Sequence, residues 1–527
     1  MRNRKWLYKA IASILCATAC VGSLTSCDVG NSLSSIGGIP VALPDYEDIE
    51  INMLGYVNPT NGDYTIDGTL LNDGTDYRTV DRFVEYKEAG LNVAFARYDS
   101  AFPFDATAED WLDSDTKLFC DKAYAAGIDK ILITDEYFNE LVRYTSGKLV
   151  GDGAGYRYAT QEEMDADVAS RLAIYKDTPG FYGIIMLDEP RWKVLENYGM
   201  VHRSIARIMP DIFIYNNLNY CHKDQSAISS LYIDLEAWKA ENGRDPTIEE
   251  AYTEYLDTFF KNTGAKNLSI DIYPFEDEAQ ERLSIYFSNA QILQKMCEKY
   301  GAEMSFTGQA ICYVRNGTFA GRITTKNDLW LQMNTMLGFG AKSFQYYTYF
   351  PDPRITSSGT SIGSFIDRKG DKTSVYYDAK SVNEGVRKFD NVLLHYDFKG
   401  AKFYLNNVIQ NGSGSAYLGT SALPFDNTHE HSLLTNVTVN NDVVLTTELK
   451  DETNDLYMYM LMNPIDSLYS ETGKMHYTEI TVSAEFSGYD WVAEFDCGEL
   501  TYVKLNNGKY TKTLSSGYAV YLVPLKA

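Results

Sequence analysis

The sequence predicts an α/β protein: a (β/α)8 TIM barrel followed by an all-β sandwich. Three observations predict it. From residue 46, short β-rich runs alternate with longer amphipathic segments in eight successive units. Several of those segments end in Gly just before the next run, the usual signal for a helix C-terminus. After about residue 396 the helical pattern gives way to short strands with turn residues between them. A chain of 527 residues is in any case too long for one ordinary core.

The β-rich runs are IEINMLGYV (49–57), LNVAFARY (91–98), KILITD (130–135), FYGIIMLDE (181–189), IFIYNNL (212–218), LSIDIYPF (268–275), MSFTGQA (304–310) and SFQYYTYF (343–350). Helix-like stretches such as TVDRFVEYKEAG, EEAYTEYLDTFFKNTG and NDLWLQMNTMLGFG separate them. Eight such units predict the barrel over residues 46–395. A doubly wound open sheet would want a Gly-rich phosphate turn after an early strand, and no such turn occurs. The connections 136–165 and 219–246 are long, and in a barrel they would sit at the mouth. Residues 396–527, with runs such as VVLTTELK, LYMYMLMN and GYAVYLVPL, read as an accessory β-sandwich.

The N-terminus reads as an export signal. MRNRKWLYK supplies a basic segment and IASILCATACVGS an apolar core too short to span a bilayer comfortably. Residues 1–26 are therefore expected to be a lipoprotein signal peptide, because Leu24-Thr25-Ser26-Cys27 resembles a bacterial lipobox. On that reading Cys27 is lipidated and the Gly/Ser-rich residues 27–45 tether the chain to a membrane.

Composition narrows the function. A formal charge of −25 repels phosphate backbones, so nucleic-acid binding is not expected. The cysteines show no CxxC spacing and no disulfide framework, and the six histidines are dispersed. His429 and His431 form the only close pair, without partners at metal-ligand spacing, so neither a metal nor a cofactor is expected. The 41 tyrosines suit ring-stacking ligands as well as ordinary packing.

Catalytic side chains of a barrel project from the carboxyl ends of its strands, which turns a long chain into a short list. The second run ends in Arg97-Tyr98-Asp99, the third in Asp135-Glu136-Tyr137 and the fourth in Asp188-Glu189-Pro190. The fifth offers Asn216, Asn217 and Asn219, the sixth Asp271 and Tyr273, the seventh Gln309, and the eighth Gln345, Tyr346 and Tyr347. No Ser-His-Asp arrangement, phosphate loop or strand-end lysine is present in that set. Carboxylates, amides and aromatic rings together suit a neutral, hydroxyl-rich ligand such as a sugar. Glycosidic cleavage needs a protonated carboxyl at the leaving oxygen and a carboxylate at the anomeric centre.

The export signal, the eight-unit pattern, Asp-Glu-Pro closing the fourth run, Asp-x-Tyr-Pro closing the sixth and the β-rich tail together resemble a clan-A-type glycoside hydrolase of the β-galactosidase-like kind. The resemblance implies Glu189 as acid/base, with Asp188 where the clan usually has Asn. It also implies a nucleophilic Glu on the seventh strand, where this chain has Gln309. Three readings follow: Asp271 serves as base or stabiliser, the Asp188-Glu189 pair supports a substrate-assisted route, or the barrel binds glycan without cleaving it. The expected catalytic residues are Glu189, Asp188 and Asp271. The expected sugar contacts are Arg97, Asp135, Asn217, Tyr273, Gln309, Tyr346 and Tyr347.

Overall fold

A computed structural model describes residues 42–526 apart from 61–64, 67–68, 71–73, 152–153, 276–278, 316–317, 352–358, 406–416, 421–422, 441–442, 466–467, 470–474 and 477. The signal peptide, Cys27 and most of the tether lie outside the described residues. Among the described residues no helix is long and apolar enough to cross a membrane.

The first part of the chain is mixed α/β with parallel strands. These are β1 (Asn52–Gly55), β2 (Ala94–Ala96), β3 (Ile131–Thr134), β4 (Phe181–Ile185), β5 (Phe213–Tyr215), β6 (Asn217–Asn219), β7 (Asn267–Asp271), β8 (Glu303–Gln309) and β9 (Ser343–Tyr347). One parallel sheet has the order β2-β3-β4-β5 and the other β1-β9-β8-β7-β6. Only Asn216 separates β5 from β6. A parallel bridge between Leu54 and Val93 joins the other two ends. Pairing therefore follows chain order, and the last strand returns to the first through Leu54 opposite Gln345.

Parallel neighbours need crossovers, and helices supply them. They are α1 (Val80–Glu88), α2 (Asp115–Ala125), α3 (Glu136–Val142), α4 (Gln161–Leu172), α5 (Leu195–Ile208), α6 (Leu235–Asn242), α7 (Ile248–Thr263), α8 (Ala279–Tyr300), α9 (Lys326–Gly338) and α10 (Ser374–Arg387). The caps are written in the sequence. Thr79, Ser114, Thr160, Thr247 and Thr325 accept backbone N–H bonds at helix starts. Gly243 and Gly264 take the left-handed conformation at the ends of α6 and α7. The two long connections are not bare loops, since they contain α3 and α6.

Side chains alternate across each strand, and two separate apolar clusters result. Leu54, Phe95, Leu132, Ile185, Tyr215 and Tyr347 pack with one another on the inner face. Their neighbours Met53, Ala94, Ile133, Ile184 and Ile214 join the larger core shared with the helices.

The rest of the chain is β-rich and antiparallel. Its strands are β10 (Asp397–Leu405), β11 (Leu434–Val439), β12 (Val443–Asp451), β13 (Leu456–Met462), β14 (Glu479–Phe486), β15 (Trp491–Asp496), β16 (Glu499–Lys504), β17 (Lys509–Ser515) and β18 (Ala519–Leu525). They form one sheet in the order β10-β12-β13-β18-β15-β16 and a second in the order β11-β14-β17. Helix α9 is buried at every position from Asp328 to Gly338, packed against β8, α10 and β12, with Met460 and Met462 of β13 reaching Gly338 and Thr335. A Cβ at Gly338 would stand 2.6 Å from the Met460 methyl carbon, so the end of that methionine packs directly on the helix backbone.

Candidate active site

The carboxyl ends of the parallel strands bring several of the expected residues together. Asn217 opens β6 and Asp271 closes β7, two strands in register with Asn217 opposite Ser269 and Asn219 opposite Asp271. Asp188 comes three residues after β4 ends. The Asn217 Nδ2 amide donates to Asp188 Oδ1 and to Asp271 Oδ1, each at 3.0 Å. One nitrogen thus holds two carboxylates, whose bound oxygens are within about 6 Å of each other. The alternative amide orientation would turn a carbonyl oxygen on both anions, so the carboxylates fix which way Asn217 faces. Its own Oδ1 is then buried without a partner among the described residues.

Each carboxylate has a further donor. Arg97 Nη2 bonds Asp188 Oδ2 at 2.9 Å, while Arg97 Nη1 donates to the Tyr56 hydroxyl at 3.0 Å. The Tyr273 hydroxyl donates to Asp271 Oδ2 at 3.0 Å. The Tyr273 ring stacks on Tyr347, with centroids 5.3 Å apart and planes 24° apart. Tyr56, Arg97, Asp188, Asn217, Asp271, Tyr273 and Tyr347 therefore form one continuous chain of contacts drawn from six strands. The Asp271 carboxyl is pushed up from 3.8 to about 6. Burial is the main cause and the neighbouring Asp188 charge the second, opposed by the bonds from Asn217 and Tyr273.

Glu189 is exposed beside this network. Its N–H donates to the Asn217 carbonyl at 3.0 Å, and its own carbonyl accepts from Asn219 Nδ2 at 3.3 Å. These bonds hold it at φ 45°, a left-handed conformation that costs a non-glycine residue on the order of 1 kcal/mol. Six described non-glycine residues have positive φ, and three of them are Val57, Tyr98 and Glu189. They directly follow Tyr56, Arg97 and Asp188, so backbone strain gathers where the network residues leave their strands.

Three expected sugar contacts are placed elsewhere. Asp135 is fully buried and caps α3. Arg171 Nε and Nη2 grip its two oxygens at 2.7 and 2.8 Å, and the Tyr175 hydroxyl adds a bond at 2.8 Å. All its acceptor capacity goes to the fold. Gln309 is 1% exposed, with Oε1 accepting from Phe275 N and Nε2 donating to the Ile311 carbonyl, both at 2.9 Å. It fastens two loops to each other. Tyr346 points outward into the helix layer, where its hydroxyl donates to Asn383 Oδ1 at 2.7 Å. Tyr347, one residue on, has the opposite parity and joins the site.

Two further details differ from expectation. The ladder of β4 ends at Ile185, well before Pro190, so Asp188 and Glu189 belong to a turn and not to alternating strand positions. Tyr56, which carries one end of the Arg97 clamp, was not singled out. Its signal is that it lies two residues beyond Leu54, on the same inner face.

No protein-family model matches the chain, and no curated protein matches its sequence. Solved structures overlap with it in part. A chain described as a glycoside hydrolase gives a TM-score of 0.47 at 11% identity, covering 92% of this chain and 93% of that one. A glycoside hydrolase family 5 from Bacteroides vulgatus gives 0.46 at 10% identity, with 92% and 90% covered. An Anoxybacillus alpha-amylase gives 0.45 at 13% identity, with 92% and 99% covered. At that overlap the likeness carries no argument about chemistry, which has to come from the site.

Proposed function

We propose that the chain is an exported glycoside hydrolase acting on oligo- or polysaccharide, built on a (β/α)8 barrel over residues 46–395 with a β-sandwich after it. The observation that carries the reading is the amide-bridged pair Asp188–Asn217–Asp271, flanked by the Tyr273–Tyr347 stack and by exposed Glu189. Carboxylates and amides bond sugar hydroxyls, and a tyrosine ring offers a face to sugar C–H groups.

In this reading Glu189, on the open side, donates a proton to the leaving oxygen. Asp271 in its ionised form stabilises positive charge at the anomeric centre, since its two bonded donors hold it as a carboxylate. Asp188 is the positioning residue that Arg97 and Asn217 fix beside it. Because Asp271 must be ionised while Glu189 keeps its proton, turnover should be bell-shaped in pH, with the titration of Asp271 near 6 as one limb. A profile with no limb near pH 6 would remove Asp271 from the mechanism.

A second reading is glycan recognition without cleavage. The internally satisfied Gln309 favours it, because the end of β8 supplies no carboxylate. Hydrolysis of a glycan panel by the wild-type chain decides between the two. Membrane attachment through Cys27 belongs to the same proposal, and Cys27→Ser should abolish lipid incorporation. Unchanged anchoring in that variant would refute it.

A further inference from the structure

His429 and His431 acquire a partner that sequence spacing does not reveal. The segment ahead of β11 runs across β10 and β12, and both rings face Glu448 of β12. His431 Nδ1 is 3.7 Å from one Glu448 oxygen and His429 Nε2 is 3.9 Å from the other. The three donor atoms all lie within 4.8 Å of one another. Both of those ring nitrogens are buried and have no hydrogen-bond partner among the described residues.

The protons can be followed around the cluster. Thr446 Oγ1 has a single hydrogen, which it donates to the Lys402 carbonyl at 3.0 Å. The His431 Nε2 contact to that hydroxyl, at 2.6 Å, must therefore be a donation from His431. In the neutral ring this leaves the Nδ1 lone pair aimed at an anion. Distances of 3.7 and 3.9 Å are too long for direct N–H···O bonds. They are close to the roughly 3.3 Å between ligand atoms that share a tetrahedral zinc at about 2.0 Å.

The surroundings are those of a prepared ligand set. Ser432 N and Ser432 Oγ donate to the two Glu448 oxygens at 2.6 and 2.9 Å, fixing the carboxylate plane. The Thr446 contact fixes the tautomer and orientation of His431 in the same way. Gly400 makes room for the other ring, since a Cβ there would stand 2.1 Å from His429 Nδ1. The His431 side chain is fully buried and Glu448 nearly so, while His429 is 23% exposed.

We propose that His429, His431 and Glu448 bind a divalent transition-metal ion of the zinc class, with a fourth position for water. The ion staples the segment carrying the two histidines onto β12.

The test is a zinc titration of the purified full chain after chelator treatment, followed by calorimetry and melting, with cobalt(II) absorption as the geometric readout. The expected result is one equivalent bound with a dissociation constant in the micromolar range or below. Hundredfold excess zinc over that constant should raise the Tm of the full chain by about 2–3 °C. His429→Ala and His431→Ala should each weaken binding at least about tenfold. Circular dichroism of the metal-free variants separates lost binding from lost fold. His429→Ala, at the more exposed position, is the variant expected to stay folded. No zinc binding by the wild-type chain, or equally tight binding by a folded His429→Ala/His431→Ala double variant, would overturn the assignment.

Discussion

Asp271→Asn should stabilise the protein at neutral pH while removing its activity. Two causes hold the Asp271 carboxyl near 6: burial at the end of β7 and the Asp188 charge across Asn217. In the unfolded chain the same group titrates at about 3.9. The folded state therefore binds more protons than the unfolded state between those values. Stability from this residue is complete below about pH 4 and is lost as pH rises through 6. A displacement of that size is worth roughly 3 kcal/mol once both states are ionised. Asparagine keeps an acceptor for the Asn217 amide and an N–H for the Tyr273 oxygen, yet carries no charge. The stability of Asp271→Asn relative to wild type should thus climb by up to about 3 kcal/mol between pH 4 and pH 7. Urea denaturation at half-unit pH steps measures it. A difference that stays flat across that window would show that Asp271 is ordinarily ionised, and the electrostatic account of the site would fail.

Gln309→Glu should not create a nucleophile. Its new oxygen would face the Ile311 carbonyl in place of a donated bond, costing about 1–3 kcal/mol by denaturation. Higher turnover in that variant would show that Gln309 does reach substrate. Asp135→Ala should cost about 3–5 kcal/mol, because Arg171 would keep its buried charge with backbone carbonyls but no carboxylate to balance it. The surviving folded fraction should show an unchanged KM, and a raised KM would return Asp135 to the sugar site.

The strands and helices were legible because the residues that make them follow simple periods. Val, Ile, Leu and aromatic runs of four to eight mark strands buried on both faces, and Thr, Ser and Gly mark the helix ends. That same burial on both faces hides parity. In SFQYY nothing local says that Tyr346 points outward and Tyr347 inward, and the two were given one role. GIIMLDEP likewise reads as one strand, yet the chain turns where Glu189 N–H meets the Asn217 carbonyl, a contact set by a strand 28 residues away. Asp188, Asn217, Asp271 and Tyr273 were legible as a group, because strand-end carboxylates and amides converge whenever consecutive parallel strands pair in order. Asp135 was misread because its owner, Arg171, comes from α4, 36 residues on. Glu448 was missed as a partner of the two histidines for the same reason, since an antiparallel ladder and not spacing brings it there.

The most direct test of the central claim is hydrolysis of a glycan panel by the wild-type chain and by Glu189→Gln. The account predicts cleavage of at least one natural glycan by the wild type, and a loss of roughly a hundredfold or more in Glu189→Gln. Activated aryl glycosides, whose leaving groups need little protonation, should lose less. Sugar binding without cleavage by the wild type, or equal turnover of the natural glycan by both proteins, would contradict it.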